Sequence, residues 1–158
     1  MTRPVLSLVT PPAVDPISLA EIKSHLRIDH SDEDVLLQSY IGTAVAMIDG
    51  PAGELGHAIC EQTWQQAQSG PDITNCVALN LPPVAALVAV KYLDSAGVEQ
   101  TAALGDFSLV YLPHGRALVR PAPGKSWPAL AAREDALRVH FVAGWPAGQV
   151  PEPIRAAL

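Results

Sequence analysis

The sequence predicts an α+β fold, and three features carry that prediction. Between residues 18 and 48, two Ser-x-x-acid spacings, Ser18 with Glu21 and Ser31 with Asp34, each precede apolar residues at helical intervals. From about Ile59 the pattern changes to short runs separated by Gly, Pro, Ser and Asn, as strands and turns require. The 15 prolines and 11 glycines argue against one long helical bundle. At 158 residues there is room for one domain with a real core. The expected division of residues 1–158 is an arm and helical pair over 1–50, an antiparallel β module over 58–145, and the start of a C-terminal helix over 151–158.

Residues 1 to 16 read as an extended, proline-rich arm. Ser18 and Glu21 then form a capping box, in which the hydroxyl accepts an orphan N–H and the carboxylate reaches back. Leu19, Ile22 and Leu26 give the following helix one apolar side, to about Arg27. The stretch "LRIDHSDEDVLLQSYI" raises the main question, because its acids could mark a metal site or a helix start. Ser31 and Asp34 have box spacing, and Asp32, Glu33 and Asp34 would sit in a first turn, where acids interact well with the helix dipole. Leu37, Ile41, Ala44 and Ile48 form a stripe that Leu36, Tyr40 and Met47 would widen, and Gly50-Pro51 stops the helix. A cap at Ser31 is expected to contribute about 1 kcal/mol.

Further along, "ICEQTWQQAQ" and "CVALNL" read as strands. "VAALVAVKYLD" and "VEQTA" flank Ser95-Ala96-Gly97, and "DFSLVYL" and "RALVR" flank Pro113-His114-Gly115, so both pairs are expected to be hairpins. In "ALRVHFVAGW", Leu137, Val139 and Phe141 alternate with Arg138, His140 and Val142, the plainest strand of the chain. "PEPIRAAL" begins a helix.

Sixteen acids against 10 Lys+Arg give a net charge of −6. Gripping nucleic acid needs clustered cations to neutralise phosphates, and this chain has none. No apolar run approaches the roughly 20 residues that span a bilayer, and the N-terminus makes a poor signal peptide. Cys60 and Cys76 are too few for a disulfide framework and are expected as reduced thiols.

The search for chemistry returns little. Read as a calcium loop from Asp29, the acidic stretch places Asp34 where a glycine is required and Tyr40 where the closing glutamate belongs. His25, Asp29 and His30 do not align on one helix face. "PGKSW" ends like a phosphate loop, but Val119 stands where the partner glycine should be, and Pro121 and Pro123 remove N–H donors. His57, Cys60 and Cys76 lack the paired spacing of zinc sites. No nucleophile elbow is present. The expectation is no catalytic residue, no metal and no cofactor.

The run of Pro16, Ser18-Leu19, Glu21, Lys23, Leu26-Arg27, Asp29 and Asp32-Glu33-Asp34 before Leu36 resembles the helical pair of phage head–tail connector (adaptor) proteins of long-tailed phages, prophages and gene transfer agents. The likeness continues in order through "EQTW", "LPPV", "VKYLDSAGVEQ", "PAPGKSWP", "VHFVAGW" and "VPEPIRAAL". It implies a structural adaptor that forms a homo-oligomeric ring, a dodecamer, between portal protein and tail. DNA would pass through it without sequence-specific binding. The implied location is the neck of a virion or phage-like particle assembled in the bacterial cytoplasm, with no membrane partner. It also implies a portal-docking element at Pro151, Glu152, Pro153, Ile154, Arg155, Ala156, Ala157 and Leu158, against the plainer alternative of a terminus packed on its own domain. Competing functions are a stopper or tail-completion protein of the same particle, or a small cytoplasmic enzyme whose site forms only in the fold.

Overall fold

Ser18 starts the first helix, α1 (Leu19–Leu26), in a computed structural model that describes residues 4–158. Its hydroxyl accepts the Glu21 N–H at 3.2 Å, and the Glu21 carboxylate accepts the Ser18 N–H at 2.8 Å. Two orphan donors are satisfied reciprocally. Arg27, in the left-handed region at φ 58°, ends the helix by sending its N–H back to the Lys23 and Ser24 carbonyls. The second helix, α2 (Asp34–Ile48), starts differently from the expectation. Its N-cap is Glu33, without a side-chain cap, and Ser31 contributes only its backbone carbonyl, to the Asp34 N–H at 3.2 Å. Residues 31–33 turn before the helix begins, so the Ser31 hydroxyl caps nothing. The Asp34 carboxylate instead meets Lys23 Nζ at 2.6 Å and ties the two helices together.

Leu37 and Ile41 are buried, and Ala44 and Ile48 are half-buried. Leu36, Tyr40 and Met47, expected to widen that stripe, are exposed. A helix packed along one side has no second core to offer its flanks.

The strands form two antiparallel sheets. The larger contains β1 (Val5–Thr10), β2 (Gln62–Gln68), β4 (Val84–Leu93), β5 (Glu99–Ala102) and β8 (Leu137–Ala143), in the order β1-β2-β8-β4-β5. The smaller has β3 (Val77–Leu79), β6 (Phe107–Tyr111) and β7 (Ala117–Pro121), in the order β3-β7-β6. Both expected hairpins form, β4 with β5 and β6 with β7. Leu137, Val139 and Phe141 of β8 are fully buried, in one apolar cluster with Val77, Leu79 and Val119 from the smaller sheet. Gln66 is also fully buried. Its amide donates to the Ala78 carbonyl at 2.8 Å and its oxygen accepts the Asn80 N–H at 3.0 Å, which stitches β2 to the chain around β3 without an orphan polar group.

The arm differs from expectation. Its residues Val5–Thr10 form an edge strand paired with β2, with a register shift between Leu8 and Thr10, so the large sheet draws from both sides of the helical pair. An edge strand is paired along one side only, which is why a run flanked by Pro4 and Pro11 can serve.

Helices and sheets join at Asp49, the residue that follows α2. Its carboxylate accepts the Ile59 N–H at 2.7 Å and the Gln62 side-chain amide at 3.0 Å, while the Gly50 N–H reaches the His57 carbonyl at 2.7 Å. Beyond β8, Gly144 has φ 108°, and a Cβ there would lie 2.2 Å from the Cys60 carbonyl oxygen. Only glycine lets the two backbones pass so closely.

Ser18→Ala should lower stability by about 1 kcal/mol in urea denaturation, whereas Ser31→Ala should change it by less than about 0.5 kcal/mol. Equal losses at the two positions would contradict these cap assignments. Asp49→Ala strands the N–H of Ile59 and the amide of Gln62, both in buried residues, and should cost roughly 2–4 kcal/mol. Asp49→Asn keeps one acceptor and should cost clearly less, and the same denaturation series compares the two.

Candidate functional site

The capped start of α1 also forms one side of the most substantial concavity. A groove of about 680 Å³ runs between α1, α2 and the short C-terminal helix α3 (Glu152–Arg155). Ile17, Ile22, Leu26, Leu37, Ile41 and Leu158 supply its apolar wall, and Glu21, His25, Glu152 and Arg155 its polar rim.

The rim charges are mutually engaged. Arg155 pairs with Glu21 across 134 residues of sequence and with Glu152 at 3.4 Å. The Ser18 N–H and then its hydroxyl, with Arg155 behind them, hold the Glu21 carboxyl below the ordinary glutamate range, against an opposing effect of desolvation. The same carboxylate therefore caps α1 and anchors α3. Ile154 packs with Ile48 and Trp145 against Ile59, Cys60 and Val150, a small core separate from that between the sheets. The Trp145 ring stacks parallel on His57 at 6.3 Å.

This geometry revises the reading of the C-terminal segment. Ile154 and Arg155 already have partners within the chain, and Leu158 lines the groove. Glu152, Pro153, Ala156 and Ala157 remain exposed. The segment has few partners nearby in sequence because its partners are on α1 and at the foot of β2.

Nothing in the groove resembles a catalytic constellation. Burial first, then the Asp49 and Asp15 charges, push the Cys60 thiol up to about 11, so it stays protonated and a poor nucleophile. Among the described residues no three His, Cys, Asp or Glu side chains are grouped to hold a metal ion. The acids of residues 29–34 are divided between a turn and an ion pair. The arrangement can bind an apolar segment or another protein surface, and it offers no general base beside a nucleophile.

The family profile of the phage gp6-like head–tail connector protein matches residues 16–115, from just before α1 through the turn between β6 and β7. The chain belongs to the gp6-like head–tail connector family. Solved structures agree. A chain in the neck of an empty gene transfer agent particle, computed with C6 symmetry, is 26% identical with a TM-score of 0.71; the match covers 90% of this chain and 72% of that one. A chain in the virion of a native gene transfer agent particle is 27% identical with a TM-score of 0.70, over the same shares. A third, in the neck of a native particle computed with C12 symmetry, shares the fold at 20% identity and a TM-score of 0.62, over 90% and 71% of the two chains. No curated protein matches by sequence.

Reasoning from sequence found Ser18 and Glu21 but missed Asp49, the Lys23–Asp34 pair and the second role of Glu21. Each of these depends on a residue far along the chain, and no local spacing marks them.

Because the Glu21 carboxyl is depressed in the folded protein, its contribution is complete above the ordinary glutamate range and is lost as pH falls through its lower folded value. A carbon-detected NMR titration should place Glu21 below the chain's unpaired glutamates. Arg155→Gln should raise it slightly and Ser18→Ala more, since the hydroxyl bond outweighs the arginine. The opposite ranking would make the arginine the main support of that carboxylate.

Proposed function

We propose that this connector-family chain is a structural adaptor in the neck of a phage or phage-like particle. It would form a ring between portal and tail and perform no catalysis. The match of the family profile across the helical pair and the first half of the β region carries this reading. The likeness over 90% of the chain to proteins of gene transfer agent particles supports the location. A dodecamer, the number that the resemblance to adaptors implies, also fits the sixfold symmetry of the neck containing one of those relatives.

The charge pattern suits a conduit. A chain of net charge −6 without clustered cations does not hold phosphates, so DNA can slide past it without sequence-specific binding. The partners in this reading are further copies of the chain, the portal protein and a stopper or tail-completion protein. Of the C-terminal segment, the exposed Glu152, Pro153, Ala156 and Ala157 are the residues offered to the portal, since Ile154 and Arg155 hold the segment on its own subunit. One subunit's contact is small. Firm attachment would come from many subunits engaging at once.

Cryo-electron microscopy of purified particles, produced with and without this chain, tests the proposal. The expected outcome is a closed ring of the chain directly below the portal, and DNA-filled heads without tails when the chain is missing. A ring one level lower would make it a stopper or tail-completion protein. Its absence from purified particles would refute the neck assignment altogether.

A further inference from the structure

The outward side of α2 differs from an ordinary solvated helix face. Of its 15 residues only Asp34, the first, is charged. Leu37 and Ile41 point to the core, and the opposite arc carries Val35, Leu36, Tyr40, Gly42, Ala46 and Met47. Val35 is 87% exposed, Tyr40 60% and Met47 61%. A surface helix normally places charged residues on that side, and a contiguous apolar patch of this kind marks a protein contact. Charge resumes at both ends of the patch, at Glu33 and Asp34 before it and at Asp49 and Glu54 after it.

We infer that this face of α2 is where one copy of the chain meets the next. The inference rests on the ring reading above and gives that ring a contact surface. The charge balance selects the occupant. Each copy carries −6, so two copies that met through ordinary surface would set acid against acid. Identical acidic subunits can associate closely only across a surface stripped of charge, and residues 35 to 47 provide one. A basic partner would gain more from the acidic surface elsewhere, and DNA would find no cation on this arc. Closure by rotation makes the contact heterologous, so the neighbour presents a different surface to α2.

Gly42 allows a clean test. A Cβ built there meets nothing within 4 Å, and glutamate is a better helix former than glycine. Gly42→Glu therefore puts an acid in the middle of the face without threatening the subunit fold. Sedimentation equilibrium of the full chain, from micromolar to millimolar concentration, is run beside circular dichroism melting. The wild-type chain should self-associate. Gly42→Glu should weaken association at least tenfold with an unchanged melt, and Met47→Lys should do the same. Ala96→Glu, with the same charge change at the β4–β5 turn, should associate like wild type. Association by Gly42→Glu as tight as wild type would overturn the assignment of this face while leaving the ring intact. A wild-type chain that stays monomeric at millimolar concentration would overturn it too, and the level of the neck density would still decide the ring reading separately.

Discussion

The Asp49 carboxylate is the hinge point of the structure. It sits where α2 ends and accepts bonds from the Ile59 N–H and the Gln62 side chain, at the entry to β2. Gln62, Trp64 and Gln66 then follow as the buried side of β2. The position of α2 is thus coupled to the register of the large sheet. Buried donors left without an acceptor cost more than a formed hydrogen bond returns, so one acid constrains both halves. The small core of Ile59, Cys60, Val150 and Ile154 lies beside this junction and brings α3 to the same place. Helices, sheet and C-terminal segment meet there.

From that junction the functional surfaces follow. The helical pair is held at the end of the sheets and not laid across them, so much of α2 gains no cover from its own subunit. Its apolar outer arc and the groove beside α1 are the consequences. In a connector-family protein such surfaces are places to be met by other chains, and the acid-rich remainder of the surface keeps DNA from adhering. A carboxylate that caps α1 and also anchors Arg155 makes the groove's rim a product of folding and not of local sequence.

Much of the architecture was legible because its signals are local. A capping box spans four residues, a hairpin turn three, and the alternation in residues 137–143 is complete within one strand. The box at Ser18 formed, while the same spacing at Ser31 did not, because the chain there turns once more before the helix starts. That choice belongs to the Lys23–Asp34 pair and to the packing of Leu37 and Ile41, neither visible in a four-residue window. The edge strand Val5–Thr10 was read as an arm for a related reason: six residues bounded by prolines are a strand only if another strand lies alongside.

The amino-acid order by itself determined the fold class, nearly all the strand positions, both hairpins and, through a run of ordered likenesses, the connector family. Those follow from periodicity and turn chemistry acting over a few residues. Only the tertiary structure decided which apolar residues of α2 are buried, what holds the C-terminal segment and where the groove lies. Each of these depends on contacts between residues far apart in sequence, as between Glu21 and Arg155, and such contacts exist only once the chain has folded.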